Sequence, residues 1–257
     1  MGHDWFSGHA AAYAAARPGY PAGLFDLIAA HAPARRCAWD CGTGNGQVAA
    51  GLARYFDTVE ASDMSAAQIA AAPAAPRVRY RVEPAEQTSY AAAQFDAIVV
   101  AQALHWFDIP RFGDELRRVA APGAVFVACG YAWFAVDPAF DAAFAEGLGR
   151  HLAPFWAPQN RLLWRGYRDI TLPIAPIAAP ALAIHVEWTW QQLMAYVWSW
   201  SAVQRALAAH QGAALDEAAD RLAGQWGDRT AVRRVIMPLS VVAGHVLAST
   251  EMTKGNR

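Results

Sequence analysis

The chain is poor in cysteine and shows no pattern in the little it has. Cys37, Cys41 and Cys129 are odd in number and none belongs to a CxxC pair. That argues against both a disulfide framework and a zinc site built on paired thiols. Buried, reduced cysteines in an intracellular protein are expected instead. A charge surplus is lacking too. The formal net charge is -1 and the pI about 6.7, so there is no basic field for nucleic acid and no acidic field for a cationic partner. No window reaches the ~18 uninterrupted apolar residues of a membrane span. The opening "MGHDWFSGHAAAYAAARPGYP" has neither a basic n-region nor an apolar h-region. The expectation is a cytoplasmic protein without membrane contact, monomeric or weakly homodimeric. Its 257 residues suffice for a sizeable core.

What is present is alternation. Pro21 opens a predicted helix, "PAGLFDLIAAHA". "RCAWDCG" reads as a short buried strand, "GQVAAGLARYF" as a helix, "TVEASD" as a strand, and "SAAQIAAAP" as a helix with Ser65 as N-cap. "VRYRVEPA" alternates as a strand should. "FDAIVVAQ" is a continuous apolar run of the kind buried in parallel sheets. "IPRFGDELRRVA" is helical, and "APGAVFVACGY" is a fifth strand entered through a Pro-Gly turn. Five strand–helix alternations between 37 and 131 predict an α/β fold with a doubly wound, mostly parallel sheet, its ligand edge at the strand C-termini. Later come a helix near 138–151, a strand over 181–188, helices over 189–209 and 213–225, and a strand over 235–247 with an irregularity at Met237–Pro238. These late strands would extend the same sheet to seven strands. No linker divides the chain, so a single domain over 1–257 is expected. Within it, 132–180 and 189–230 are insertions and "STEMTKGNR" is a polar tail.

The loop Asp40-Cys41-Gly42-Thr43-Gly44-Asn45-Gly46 follows the first strand. A dinucleotide loop, counted from Gly44, needs glycine at 47, where Gln47 stands. A P-loop needs a lysine that is not there. Asp40 would repel phosphate and attract an ammonium. A ligand with a nucleoside at one end and an amino acid at the other fits, as S-adenosylmethionine does; a tight turn holding no ligand is the plainer alternative. Asp63 ends the second strand 17 residues past Gly46 and could chelate ribose hydroxyls, or cap the following helix. Met64 would lie against adenine. Ala85 and Glu86, in "PAEQ", could meet the adenine edge. In "AQALHWFD", His105 and Trp106 leave the fourth strand at the ligand edge.

These segments together resemble class I SAM-dependent methyltransferases, and more narrowly the trans-aconitate methyltransferase-like (methyltransferase type 11) group. The resemblance rests on "FSGHAAAYAAARPGYP" (6–21), "WDCGTGNGQ" (39–47), "EASDMSAAQI" (60–69), "AEQ" (85–87), "AQALHWFD" (101–108) and "SWSAV" (199–203). It implies a Rossmann-like fold with S-adenosyl-L-methionine as cofactor and S-adenosyl-L-homocysteine as product. It implies that Asp40, Gly42, Gly44 and Gly46 hold the methionine end, Asp63 and Met64 the ribose and adenine, and Ala85 and Glu86 the adenine edge. Gln102 would border the reactive methyl, and Tyr13 and Arg17 would lie on an N-terminal lid (1–21). The core over 37–131 would bind the cofactor. The Cys41 of "AWDCG" departs from the small or varied residues usual in the group.

Methyl transfer from a sulfonium calls mainly for alignment and exclusion of water. A general base is needed only for a hydroxyl or a protonated amine; His105 is the foremost candidate, ahead of His9 and His185, with Tyr13 beside it. Eight of eleven tryptophans follow Tyr131. Of these, Trp133 and Trp164, with Trp106, Tyr13 and Arg17, are the expected substrate contacts. Phe155, Trp156, Tyr167 and the arginines 161, 165 and 168 share the same irregular stretch. The arginines suit an acidic acceptor and the indoles a flat one. The expected reaction is O- or N-methylation of a small molecule in an enclosed pocket, without metal or nucleic acid. A non-catalytic SAM-binding scaffold and an NAD-dependent oxidoreductase are the competing readings.

Overall fold

The computed structural model describes residues 18–248. They form two compact units, each assembled from separate stretches of chain: one from residues 20–132, 161–183 and 238–248, the other from 18–19, 133–160 and 184–237.

The first unit is built on the sheet. Strands β1 (Cys37–Cys41), β2 (Thr58–Asp63), β3 (Val78–Val82), β4 (Phe95–Ala101) and β5 (Ala120–Gly130) pair in parallel in the order 3-2-1-4-5. β8 (Arg233–Val246) adds antiparallel to β5, and β6 (Ile174–Pro176) adds to β8. β7 (Leu182–Trp188) also pairs with β8, which gives eight strands where the sequence suggests seven. The three-residue β6 is the one without an apolar signature.

Burial explains why these segments are strands. β1, β2 and β4 are covered on both faces, as parallel strands must be when crossovers place helices on either side. Along β5, Ala124, Phe126 and Ala128 face one cluster and Val125, Val127 and Cys129 the other. On one face α1 (Ala22–His31) and α2 (Gln47–Leu52) contribute Leu24, Ile28, Val48 and Leu52. On the other, α4 (Ile109–Val119) contributes Phe112 and Leu116 around Trp39. Trp39 is fully buried against Phe95, and its indole N–H donates to Ser62 Oγ at 2.9 Å, so its polar edge is satisfied. The short α3 (Ala66–Ala71) is capped as expected: Gln68 N donates to Ser65 Oγ.

A second anchor went unread in the sequence. The Asp96 carboxylate, wholly buried at a register shift in β4, accepts from Arg36 N (2.9 Å), Arg36 Nη2 (2.7 Å) and Cys37 N (3.3 Å). It thereby fixes the start of β1. Asp96→Ala is expected to cost about 2–3 kcal/mol through the stranded backbone donors. Urea denaturation measures this, and a loss under about 0.5 kcal/mol would refute the anchoring role.

The second unit is helical and aromatic. α5 (Pro138–Phe144), capped by Asp137, continues through a wider turn, Ala145–Gly149, into Arg150–Leu152. α6 (Asn160–Trp164) carries the chain back to the sheet unit. α7 (Trp190–Trp198) begins with a Thr189–Gln192 capping box, and α8 (Ser201–Ala208) and α9 (Gly212–Trp226) follow. Phe140, Trp190 and Trp226 pack together, and the Arg233 guanidinium lies over Phe140 and Trp226 while pairing with Asp137. Trp133, Trp156 and Trp200 form a second cluster with Phe134, Phe144 and Tyr196. β8 runs unbroken through Met237 and Pro238, where the sequence suggests an irregularity, and the chain passes between units there. No helix among the described residues is long and apolar enough to cross a membrane.

Candidate active site

In a parallel sheet all strand C-termini open on one edge. Here that edge carries the glycine loop. Gly42, Gly44 and Gly46 have φ of +71°, +56° and +84°, a region that L side chains enter at a cost. Gly42 N and Thr43 N both donate to Ser62 O, at 2.8 and 2.9 Å. Gly44 N donates to Asp63 Oδ2 at 2.9 Å, and Ser65 N to Asp63 Oδ1 at 2.8 Å. Asp63 therefore welds the loop to β2. Each carboxylate oxygen keeps a lone pair for another donor. A side chain at Gly46 would collide with Tyr80, a neighbour the sequence did not point to.

Asp40 lies beneath this loop, buried. Thr43 Oγ1 donates to its Oδ2 at 2.5 Å, while Oδ1 has no hydrogen-bond partner among the described residues. Burial pushes its pKa up to about 7, against the pull of the Thr43 hydroxyl and the Ala49 N–H. A sealed, half-satisfied carboxylate is costly unless a cationic donor completes it. No arginine or lysine among the described residues supplies that donor. A cradle of glycines over an anionic floor suits an amino-acid ammonium and disfavours phosphate. These residues fit S-adenosylmethionine.

The remaining expected contacts arrange themselves as follows. Met64 is 80% exposed next to Asp63. Ala85 is buried, and Glu86 Oε1 accepts from Asp108 N at 2.9 Å, tying the loop after β3 to the one after β4. Gln102 leaves β4 with φ +57°; its N donates to Cys129 O, its Nε2 to Tyr131 O, and its Oε1 is buried without a partner among the described residues. A non-glycine residue in that conformation is unfavourable and must be held by its surroundings. His105 and Trp106 sit in the short turn Leu104–Trp106, His105 buried and Trp106 47% exposed. His105 Nδ1 is 3.2 Å from the Tyr167 hydroxyl, and burial pushes its pKa down to about 4. It is neutral at pH 7 and a weak base there.

Trp164 and the arginines 161 and 165 lie in or next to α6. Arg165 pairs with Asp169, and Arg168 Nε donates to Arg165 O. Trp133 belongs to the aromatic cluster of the second unit. His185 bonds with Arg234. Tyr13, Arg17, His9 and residues 1–17 of the expected lid lie outside the described residues, as does the polar tail from 249 onward. Cys41 and Cys129 are buried free thiols whose pKa burial pushes up, and Cys37 is only partly buried. The pairing of His105 with Tyr167 and the stranded Oε1 of Gln102 were not foreseen. The left-handed residues that create them leave no periodicity to read.

Comparison with known proteins places the chain in a family. Residues 39–128 match the family model for a methyltransferase domain. A solved structure from Anaeromyxobacter dehalogenans, described as a type II methyltransferase, is 42% identical over 90% of this chain and 99% of its own, with a TM-score of 0.82. A Dictyostelium discoideum protein described as a methyltransferase is 28% identical over 205 residues, 77% of each chain. A methyltransferase structure from Anabaena variabilis, 14% identical over 83% of this chain and 96% of its own, shares the fold with a TM-score of 0.52. The chain belongs to the class I S-adenosylmethionine-dependent methyltransferases. S-adenosylmethionine is the cofactor of that family.

Proposed function

We propose that this enzyme methylates an oxygen or nitrogen of a small, soluble acceptor in an enclosed pocket, with the cofactor held by Asp40, Gly42, Gly44, Gly46, Asp63 and Met64. The observation that supports this most directly is the chemistry beside the glycine loop. Gln102, the neutral His105 and the half-exposed Trp106 offer hydrogen bonds and an aromatic face without any basic field. Such an edge suits a small metabolite better than a phosphate backbone.

When bound, S-adenosylmethionine supplies a methyl group on a sulfonium, a good leaving group suited to in-line displacement. The chain's own contribution is then alignment and exclusion of water, and orientation alone is worth roughly 7–11 kcal/mol. Trp106 and Trp164 are proposed as acceptor contacts.

Two experiments test the reading. S-adenosylmethionine at 100 times its Kd should stabilise the protein by about 2.7 kcal/mol in thermal denaturation, and NAD should not. Incubation with methyl-labelled cofactor and a metabolite extract should put label into a small product. Label confined to protein or nucleic acid would sink the small-molecule reading, and binding without any labelled product would leave a non-catalytic scaffold.

A further inference from the structure

At the edge of the sheet opposite the glycine loop, two imidazoles of the first unit meet. His31 is the last residue of α1, and His245 lies near the end of β8. Both are half-buried, their ring centroids 5.8 Å apart and their planes at 62°. The backbone brings each there for its own reason. α1 stops at His31, ahead of Pro33, which lies against Gly123 at the start of β5. β8 runs antiparallel to β5, so its end arrives at the same place. There His245 is paired with Val125 on one side and Ala175 on the other. Ala243, two positions earlier on the same face, belongs to the core cluster under α1. A strand paired on both sides and a helix end are rigid supports, as a ligand site requires.

His245 Nδ1 is 3.1 Å from Gly123 O. A carbonyl oxygen only accepts, so Nδ1 carries the proton, and in the neutral ring Nε2 carries a lone pair. Metal-ligating histidines are held in this way, one ring N–H given to a backbone carbonyl and the other nitrogen free for the ion. His245 Nε2 has no hydrogen-bond partner among the described residues, and neither nitrogen of His31 has one. With metal–nitrogen distances of about 2.0–2.1 Å, two imidazoles on one ion have centroids roughly 5–6 Å apart. The observed separation falls in that range. The C-terminal carbonyls of α1 also favour a cation beside His31.

We propose that His31 and His245 bind a divalent first-row transition ion, zinc being the simplest, which clips the first helix to the strand that closes the sheet. No third His, Cys, Asp or Glu among the described residues joins the pair. Water completes the shell, and the ion is exchangeable, unlike the closed four-ligand zinc of a structural site. Two imidazoles select zinc or nickel over magnesium and calcium, which prefer oxygen ligands. The site takes no part in methyl transfer and stands whatever the acceptor is.

Calorimetric titration of the full chain with zinc chloride at pH 7.5, where free imidazole is unprotonated, tests the site. His31→Gln and His245→Gln should each weaken zinc binding at least ~10-fold, because even the loss of a group that orients a metal ligand costs about 10–100-fold. Magnesium chloride should give no binding at these residues. The double variant His3→Gln/His9→Gln should bind zinc as the wild type does. Undiminished binding in either single variant, or loss in the double one, overturns the proposal. Long-range proton–nitrogen NMR of the wild type gives a reading that needs no variant to fold. Of the eight histidines, two should shift together at one zinc per chain, and one of these should show Nδ1–H before zinc is added. No such pair of signals would overturn the site. Hydrogen exchange reads the clip itself: at zinc 10 times its Kd, the amides of residues 240–245 should exchange about 10-fold more slowly. Unchanged exchange in the zinc-bound wild type would refute the clip.

Discussion

Asp40→Asn should weaken S-adenosylmethionine binding about 100-fold while making the ligand-free protein more stable at pH 8. The two effects share one cause. The Asp40 carboxylate is buried with Oδ1 unsatisfied among the described residues, and its pKa is pushed up from an ordinary 3.8 to about 7. Between those values the folded state binds a proton that the unfolded state has released. Stability therefore falls as pH rises through this window, and the loss is complete above about pH 7. Three pH units correspond to about 4 kcal/mol. Asparagine keeps an acceptor for Thr43 and has no charge to bury, so this slope should vanish. It also cannot pair ionically with the cofactor's ammonium, and losing one partner of a buried charge pair costs ~2–5 kcal/mol of binding.

His105 has the opposite sign. Its pKa is pushed down from 6.5 to about 4 by burial, so its contribution is present above pH 6.5 and is lost as pH falls toward 4. In the wild type the two slopes oppose each other between about pH 4 and 6.5. In Asp40→Asn only the acid-side loss remains. Urea denaturation at pH 5, 6 and 8, with calorimetric titration of the cofactor, checks the pair of effects. A variant less stable than wild type at pH 8, or one that binds the cofactor as tightly, contradicts the assignment.

Gly42→Ala should cost about 2–5 kcal/mol and eliminate measurable cofactor binding. At φ +71° an alanine pays the left-handed penalty of ~1–2 kcal/mol. Its Cβ would also sit 2.6 Å from Ala103 Cβ and 3.4 Å from Phe107 Cζ. Ala103 Cβ has no rotamer in which to retreat, so backbone must move, at a further ~1–3 kcal/mol. Gly42 N and Thr43 N both rest on Ser62 O, so movement would carry the loop off β2. Gly44→Ala is the control. Its nearest contact would be Gln68 Oε1 at 4.0 Å, leaving only the conformational penalty of φ +56°. Equal losses of stability in the two variants would show that the close approach to Ala103 is not what the glycine serves.

The strands that position the site were legible because burial on both faces demands continuous apolar runs, as in Phe95–Ala101, and because glycines and aspartates punctuate their ends. The glycine loop was legible for the same reason: its turn chemistry is local. Other features were not. Asp63 read as a ribose ligand or a helix cap, and it also fastens the loop through Gly44 N. Asp96 looked like one more residue of a strand, since nothing local says that its carboxylate will meet Arg36. Tyr167 read as one aromatic among many, because its meeting with His105 depends on two left-handed residues and a separation of 62 positions. Sequence spacing reports periodic contacts well, and contacts made by chain reversals poorly.

The interleaving of the two units bears on how the chain is made. Neither unit is a contiguous piece of the sequence, and the chain crosses between them at 19–20, 132–133, 160–161, 183–184 and 237–238. During vectorial synthesis β1 to β5 emerge first, but β5 lacks its antiparallel neighbour until residues 240–245 arrive. That edge of the nascent sheet stays open while more than a hundred further residues are added, a long-range closure of the kind that folds slowly and exposes apolar strands to aggregation. The helical unit faces the same delay, since its last segment ends at Met237. The protein should therefore depend on holdase chaperones until β8 has emerged, and ribosome-bound chains arrested before β8 should be far more protease-sensitive than chains extended past Val246.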